Sequence, residues 1–249
     1  MNAYLRLIAF DLRLYFRDWM TIFWILVYPV LMLILFGSLF GSQEGLQEGK
    51  RYIDDYVPAL CVMNVMSVSV FTLNINMIQY RESGILRRFR VTPVKRMAVL
   101  LSHAVQGLLF AVTGGIEVVI IAKLMWNIDV TASGVWQLLL AIVFGSIGFF
   151  SLGFALSGLT RTPGAASGLA MAIFFPMLFL SGISYPIDYM PSVLKAISDF
   201  IPMTYYVELA QGVWTGSSMF DYGLNWGVLA GMAAAFGALA VLLFKWENH

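Results

Sequence analysis

The chain has 249 residues, 60% of them hydrophobic and only 12% charged. Ordinary soluble domains carry about 25% charged residues, so this composition excludes a soluble fold and marks a membrane protein. The net charge of +1 gives no global attraction for nucleic acid, and none is expected as a partner; the information lies in where the charges fall.

Residues 1–20 read as an amphipathic helix lying in the membrane surface. Leu5, Ile8, Leu12, Tyr15, Phe16 and Trp19 fall on one arc of about 100°, while Arg6, Arg13 and Arg17 share another side. The first span is read over residues 21–40. That is about twenty apolar residues, enough to cross hydrocarbon and too long for a cleavable signal. Pro29 lies inside it, and neighbouring helices are expected to satisfy the carbonyl it frees. A polar stretch, Gly41 to Asp55, leads to a second span over residues 56–78 that carries Asn64, Ser67, Ser69, Thr72, Asn74 and Asn76. Interhelical hydrogen bonds or a lined cavity would each explain so polar a span, and packing is the more economical of the two. Cys61 is the single cysteine, which excludes an internal disulfide and a cysteine-rich metal site.

Residues 79–97 hold the densest charge in the chain, with Arg81, Glu82, Arg87, Arg88, Arg90, Lys95 and Arg96. Each cation would cost about 2.5–3.5 kcal/mol at a helix centre in hydrocarbon, so the loop is aqueous, and its sign makes it cytoplasmic. From Glu82 to Arg90 a helix would place Ile85, Leu86 and Phe89 on one small apolar face, with Arg87 and Arg88 pointing elsewhere. Thr92-Pro93 would stop it. On charge alone, such a loop either fixes topology against anionic lipid or presents a docking element.

A third span covers residues 98–125, with Glu117 inside and Lys123 near an end where it can snorkel to the interface. An acid at the depth of Glu117 is costly; it either lines a transport path or is protonated or hydrogen-bonded within the bundle. The fourth span, residues 135–159, is rich in Gly and Ser, which lets helices approach closely. The fifth covers residues 165–183 and contains Pro176. Residues 184–216 hold Pro186, Pro191 and Pro202 and contain no clean twenty-residue span. Two short helices in or dipping into the outer leaflet are expected there, with Tyr185, Tyr189, Tyr205, Tyr206 and Trp214 as interfacial anchors. The sixth span is residues 222–244. Six spans put both termini in the cytoplasm and gather most cations there, leaving Lys50, Arg51, Lys123 and Lys195 outside.

No GxxxxGK[ST] loop, HExxH or GxSxG occurs, and His103 and His249 sit in no metal-binding spacing. The chain therefore shows no energy source, catalytic site, cofactor site or metal site of its own.

Three stretches carry a family resemblance: the N-terminal basic helix leading into FWILVYPVLM, the segment RESGILRRFRVTPVKR, and FPMLFLSGISYPIDYMPSVLKAISDFIPMTYYVELAQG. In this order and with this topology they resemble the permease subunit of type-2 ATP-binding-cassette exporters. The resemblance implies an all-α fold of six transmembrane helices with an interfacial helix, a coupling helix between spans two and three, and re-entrant helices between spans five and six. It assigns contact with a separate ATPase subunit to Glu82, Gly84, Ile85, Leu86, Arg87, Arg88, Phe89, Thr92 and Pro93. ATP and Mg would be bound by that partner, and a second permease copy, identical or homologous, would complete the pathway. Asn64, Asn74, Asn76 and Glu117 are the candidates for the substrate path; Pro186, Pro191, Pro202, Tyr205 and Glu208 for an external gate. Gln211 stands where that family often has an Arg after the Glu, which puts a local ion pair in doubt. The expected activity is export of a small amphipathic or hydrophobic molecule across the plasma membrane. The alternatives are an ATP-independent channel or secondary carrier, and a non-transporting scaffold or sensor component.

Overall fold

The computed structural model describes residues 19–45, 49–85, 96–184 and 186–243. They form eight helices: α1 (Phe23–Phe40), α2 (Tyr52–Glu82), α3 (Arg96–Trp126), α4 (Ala132–Leu159), α5 (Pro163–Leu180), α6 (Ser192–Ser198), α7 (Pro202–Trp214) and α8 (Gly223–Leu243). Among the described residues there is no strand beyond an isolated bridge between Glu44 and Arg51. All but α6 and α7 are long and apolar enough to cross a membrane, so the all-α, six-span architecture read from hydropathy holds. The interfacial helix of residues 1–20 lies almost wholly outside the described residues, as does the basic segment 86–95.

Several helices begin before the hydrophobic run does, because polar caps start them. Arg51 opens α2: its backbone N–H and its guanidinium both reach the Asp54 carboxylate at 3.2 Å, and the helix begins four residues ahead of the apolar run at Tyr56. Thr131 Oγ1 accepts from the Gly134 N–H at the head of α4, and Thr162 Oγ1 accepts from that of Ala165 at the head of α5. The end of α5 comes early as well, at Leu180, followed by Gly182 with φ +83°.

The bundle is built around α2. The whole apolar window of α2 is buried inside the chain, against 33% of that of α1, 22% of α5 and 17% of α8, so α2 is enclosed and the others carry the outer surface. Its polar residues follow from this position. Asn64, Ser67, Ser69, Thr72 and Asn74 are all fully buried, and two of them, Ser69 and Asn74, bond to neighbouring helices. Ser69 Oγ donates to the Phe149 carbonyl of α4, and Asn74 Nδ2 donates to the Ala166 carbonyl of α5 at 3.4 Å.

Glycines bring α4 close to three neighbours. A side chain at Gly145 would strike the ring of Tyr206 in α7, and one at Gly153 would strike the Ser69 carbonyl of α2. At Gly148 the nearest atom is the Leu229 carbonyl of α8, at 3.1 Å from a Cβ position. Where α1 and α2 pass each other both wind as π-helix, over Phe23–Val27 and Val68–Leu73. In α1 the wide turn lies just ahead of Pro29, whose ring would otherwise crowd the Ile25 carbonyl. Trp24 and Phe71 stack across the two segments at 4.1 Å, and Phe174 of α5 closes on both edge-on, at 5.9 and 5.2 Å.

The region between α5 and α8 departs from its reading in one respect. Tyr206 and Trp214, expected as interfacial anchors, are buried. The face of α7 that holds Met203, Tyr206, Ala210 and Val213 turns into the bundle, so its aromatic residues fill core; Tyr189, at 71% exposure, keeps an outward position.

Gly153→Ala is expected to lower the melting temperature in detergent by roughly 2–10 °C, because the added methyl meets backbone that cannot rotate away. Gly237→Ala, whose methyl would meet only Ser151 Oγ at 3.8 Å, is expected to melt with the native chain.

Candidate functional site

The features that bear on function lie at the two ends of α2 and along its buried face. At the Glu82 end, the helix stops through Ser83 and Gly84, the latter at φ +73°, a backbone conformation that favours glycine. Glu82 is exposed, while Ile85 is half-buried against the core. Leu86, Arg87, Arg88, Phe89, Thr92 and Pro93 lie outside the described residues. One turn earlier the helix is tied down. Arg81 is only 5% exposed, and its guanidinium donates to the carbonyls of Ser157 at 3.1 Å and Thr160 at 3.4 Å, where α4 ends. Tyr80 packs edge-on against His103 of α3 at 4.9 Å. The departure of the chain from α2 is thus held by α3 and α4 together.

The Arg51 end is tied in the same manner. Arg51 Nη1 donates to the Trp126 carbonyl, the last of α3, at 3.0 Å, and Lys50 Nζ reaches the Thr215 carbonyl after α7 at 3.5 Å. Lys123, an exposed residue, donates from Nζ to the Ile128 carbonyl at 2.7 Å. Each of these cations meets a carbonyl at or just past a helix C-terminus, where the helix dipole is negative and backbone acceptors lack partners.

Along the buried face, the four path candidates separate into two places. Asn64 lies against Gly114 of α3, in contact so close that only glycine fits, and the Ile25 carbonyl of α1 reaches the same point, 3.0 Å from a Cβ position. Glu117 is one turn further along α3 on the neighbouring face; it is half-buried, and its Oε2 is buried without a hydrogen-bond partner. Both side-chain amide atoms of Asn64 are buried and unpartnered too. Asn74 stands some ten residues away, facing α5, with Nδ2 donating to Val70 and Ala166 and Oδ1 unpartnered. Asn76 is buried nearby with its amide nitrogen unpartnered. Asn64 therefore sits where α1, α2 and α3 meet, and Asn74 belongs to the junction of α2 and α5.

Of the gate candidates, the prolines set helix starts. Pro186 precedes the single 3-10 turn Ile187–Tyr189, Pro191 immediately precedes α6, and Pro202 is the first residue of α7. Tyr205 Oη donates to the Asp199 carbonyl at 2.8 Å, bracing the turn between α6 and α7. Asn225 of α8 donates to both the Tyr205 carbonyl at 2.8 Å and Glu208 Oε2 at 2.9 Å. Glu208 is thereby paired without the basic residue; Gln211, at the departing position, donates instead to the Asp55 carbonyl of α2 at 3.1 Å.

Two groups of residues were not singled out by the sequence. One is the cluster of Trp24, Phe71 and Phe174, whose members lie on three distant segments and carry no shared motif. The other is the contact of Tyr206, whose hydroxyl donates to the Ala141 and Ile142 carbonyls of α4 at 3.2 and 3.3 Å. Its sequence signal was present but ambiguous, since a tyrosine in a proline-bounded segment also suits a membrane interface.

Comparison with known proteins agrees with this architecture. Residues 2–214 match the family described as ABC-2 type transporter. The chain is 29% identical over 233 residues to the daunorubicin resistance ABC transporter permease protein DrrB1 of Streptomyces coeruleorubidus, an alignment covering 90% of this chain and 79% of that one. It is 22% identical over 188 residues to the inner membrane transport permease YhhJ of Escherichia coli K12, covering 74% of this chain and 50% of YhhJ. With a family match that takes in α1 through α7 and a six-span bundle enclosing a polar second helix, the chain belongs to the ABC-2 type transporter family, as the membrane permease subunit of an ABC exporter.

Proposed function

We propose that this permease sits in the plasma membrane with both termini cytoplasmic and exports a small amphipathic or hydrophobic molecule. ATP, with Mg, is bound and hydrolysed by a separate ATPase subunit and not by this chain. The observation that carries the reading is the course of α2: a polar helix enclosed by the bundle runs directly into the basic segment at Glu82. Movement imposed on that segment has to be taken up by the helix that bears Asn64, Asn74 and Asn76.

In this reading Glu82, Gly84, Ile85, Leu86, Arg87, Arg88, Phe89, Thr92 and Pro93 form the contact with the ATPase, the apolar side chains gripped in a cleft and the arginines paired across the interface. Two permease copies stand side by side and the path runs between them, reached by the polar face of α2 and by Glu117. The helices α6 and α7, with Pro186, Pro191, Pro202, Tyr205 and Glu208, close its outer end. The relative DrrB1 is named for daunorubicin resistance, which supports the amphipathic cargo class.

Gentle purification of the tagged chain from its native membrane tests the reading as a whole. A cytoplasmic ATPase is expected with it at one copy per permease, and the mass of the complex shows whether the second permease is identical. Recovery of the chain without an ATPase would favour a channel or a scaffold. Within that complex, the double substitution Arg87→Glu and Arg88→Glu is expected to cut ATPase recovery at least tenfold while membrane insertion stays normal. Unchanged recovery would remove the docking assignment.

Asn64→Leu separates path from packing. Replacing a buried amide without partners by an apolar group of similar size removes an unsatisfied polar cost of about 1–3 kcal/mol, so thermal stability in detergent should hold or rise. Export, measured as efflux of a fluorescent anthracycline from inverted vesicles, should fall if this face meets the cargo; full efflux with the variant would take Asn64 out of the path.

A further inference from the structure

Helix α4 is gripped at two points by single polar side chains, one at its C-terminal end and one about a third of the way along from its start. At one end the Arg81 guanidinium, from the last turn of α2, holds the carbonyls of Ser157 and Thr160. In the N-terminal half of the helix, the Tyr206 hydroxyl of α7 donates to the carbonyls of Ala141 and Ile142. The two grips are sixteen residues apart along one unbroken helix, from Ala141 to Ser157, or about 24 Å at 1.5 Å per residue.

Both grips are firm for stated reasons. Arg81 is almost wholly buried and places a full charge at the negative end of the α4 dipole, on acceptors that have no partner within the helix. Tyr206 is fully buried; its ring stacks on Phe149 at 5.4 Å and occupies the space left by the absent side chain of Gly145. Between the grips, Gly153 seats the backbone of α4 on the Ser69 carbonyl of α2, so the helix has little room to slide independently of α2.

We infer that α4 is the rod linking the ATPase-facing end of α2 to the outer helix α7, and that Arg81 and Tyr206 are positioning residues at the two points where it is held. This rests on the proposed function above. A displacement of the basic loop pulls on Arg81, is carried along α4 as a rigid body, and arrives at α7 through Tyr206. Neither residue touches cargo or nucleotide; each acts through the helix it holds. The connection is a physical one, a chain of buried donor-acceptor pairs on one stiff element, and it predicts a coupling that can be measured.

The test uses the whole transporter, permease with its ATPase, in proteoliposomes. A cysteine replaces Val193, which is 69% exposed on α6 just ahead of α7; the native Cys61 is fully buried. The readout is the rate of labelling by a membrane-impermeant maleimide, without nucleotide and after trapping with ATP and vanadate. In the native background the two rates are expected to differ by at least threefold. Arg81→Gln is expected to bring the ratio to about one while ATPase recovery with the permease is kept, and Arg81→Lys, which retains one charged donor, to restore part of it. Tyr206→Phe, which keeps the ring and loses only the hydroxyl, is expected to lower the ratio without changing the amount of folded protein. A native-sized ratio in both Arg81→Gln and Tyr206→Phe overturns the rod assignment, since a purely structural role predicts changed yield and an unchanged nucleotide response. Absence of ATPase from the native complex is a separate result, which removes the proposed function and this inference with it.

Discussion

Enclosure of α2 is the constraint on which the rest of the structure depends. Helices in a bilayer gain nothing from hiding apolar surface from one another, since lipid tails are as apolar as leucine; they associate through close packing and hydrogen bonds. A helix carrying Asn64, Ser67, Ser69, Thr72 and Asn74 cannot face lipid cheaply, so it takes the centre and its neighbours are arranged to receive it. The small residues fall where that demand is greatest. Gly114 of α3 admits the Asn64 amide, and Gly153 of α4 admits the backbone at Ser69. Helices α1, α5 and α8 have no such burden, and most of their apolar windows face outward.

Helix ends pose the second problem, because the last carbonyls of a helix have no partner within it. Here cations solve it repeatedly. Arg51 covers the end of α3, Arg81 that of α4, and Lys50 reaches the turn beyond α7. Two of these belong to the termini of α2 itself, so the central helix is fastened to α3 at one end and to α4 at the other. Where α4 stops, a single nitrogen, Arg81 Nη1, serves two of these carbonyls at once.

Hydropathy made the six spans legible, because each crossing needs a long apolar run whatever it packs against. The starts of α2, α4 and α5 were less so, since Arg51, Thr131 and Thr162 begin those helices with polar side chains that a hydropathy reading assigns to loops. The polar second span was readable as a packing helix, but which neighbour each residue meets was not. Asn64 and Asn74 look equivalent in the sequence, yet one meets α3 and the other α5, since ten residues of helix turn their side chains to different sides. Tyr206 was visible and misplaced. Periodicity in a thirteen-residue helix shows that a face is apolar, without showing whether lipid or protein covers it.

Partners are found for some of these polar groups but not for all: atoms of Asn64, Ser67, Thr72, Asn74 and Asn76 along α2, and of Glu117 on α3, are buried without a hydrogen bond. Both amide atoms of Asn64 are buried without a hydrogen bond at a point where α1, α2 and α3 meet. An unpaired buried polar group costs about 1–3 kcal/mol, and no packing gain removes that cost while the junction stays dry. A conformation that admits water or a polar part of a cargo to this junction recovers it. For a chain whose family moves molecules across membranes, polar groups left without partners at a helix junction lower the work that opening requires, and packing that satisfied every one of them would hold the bundle shut.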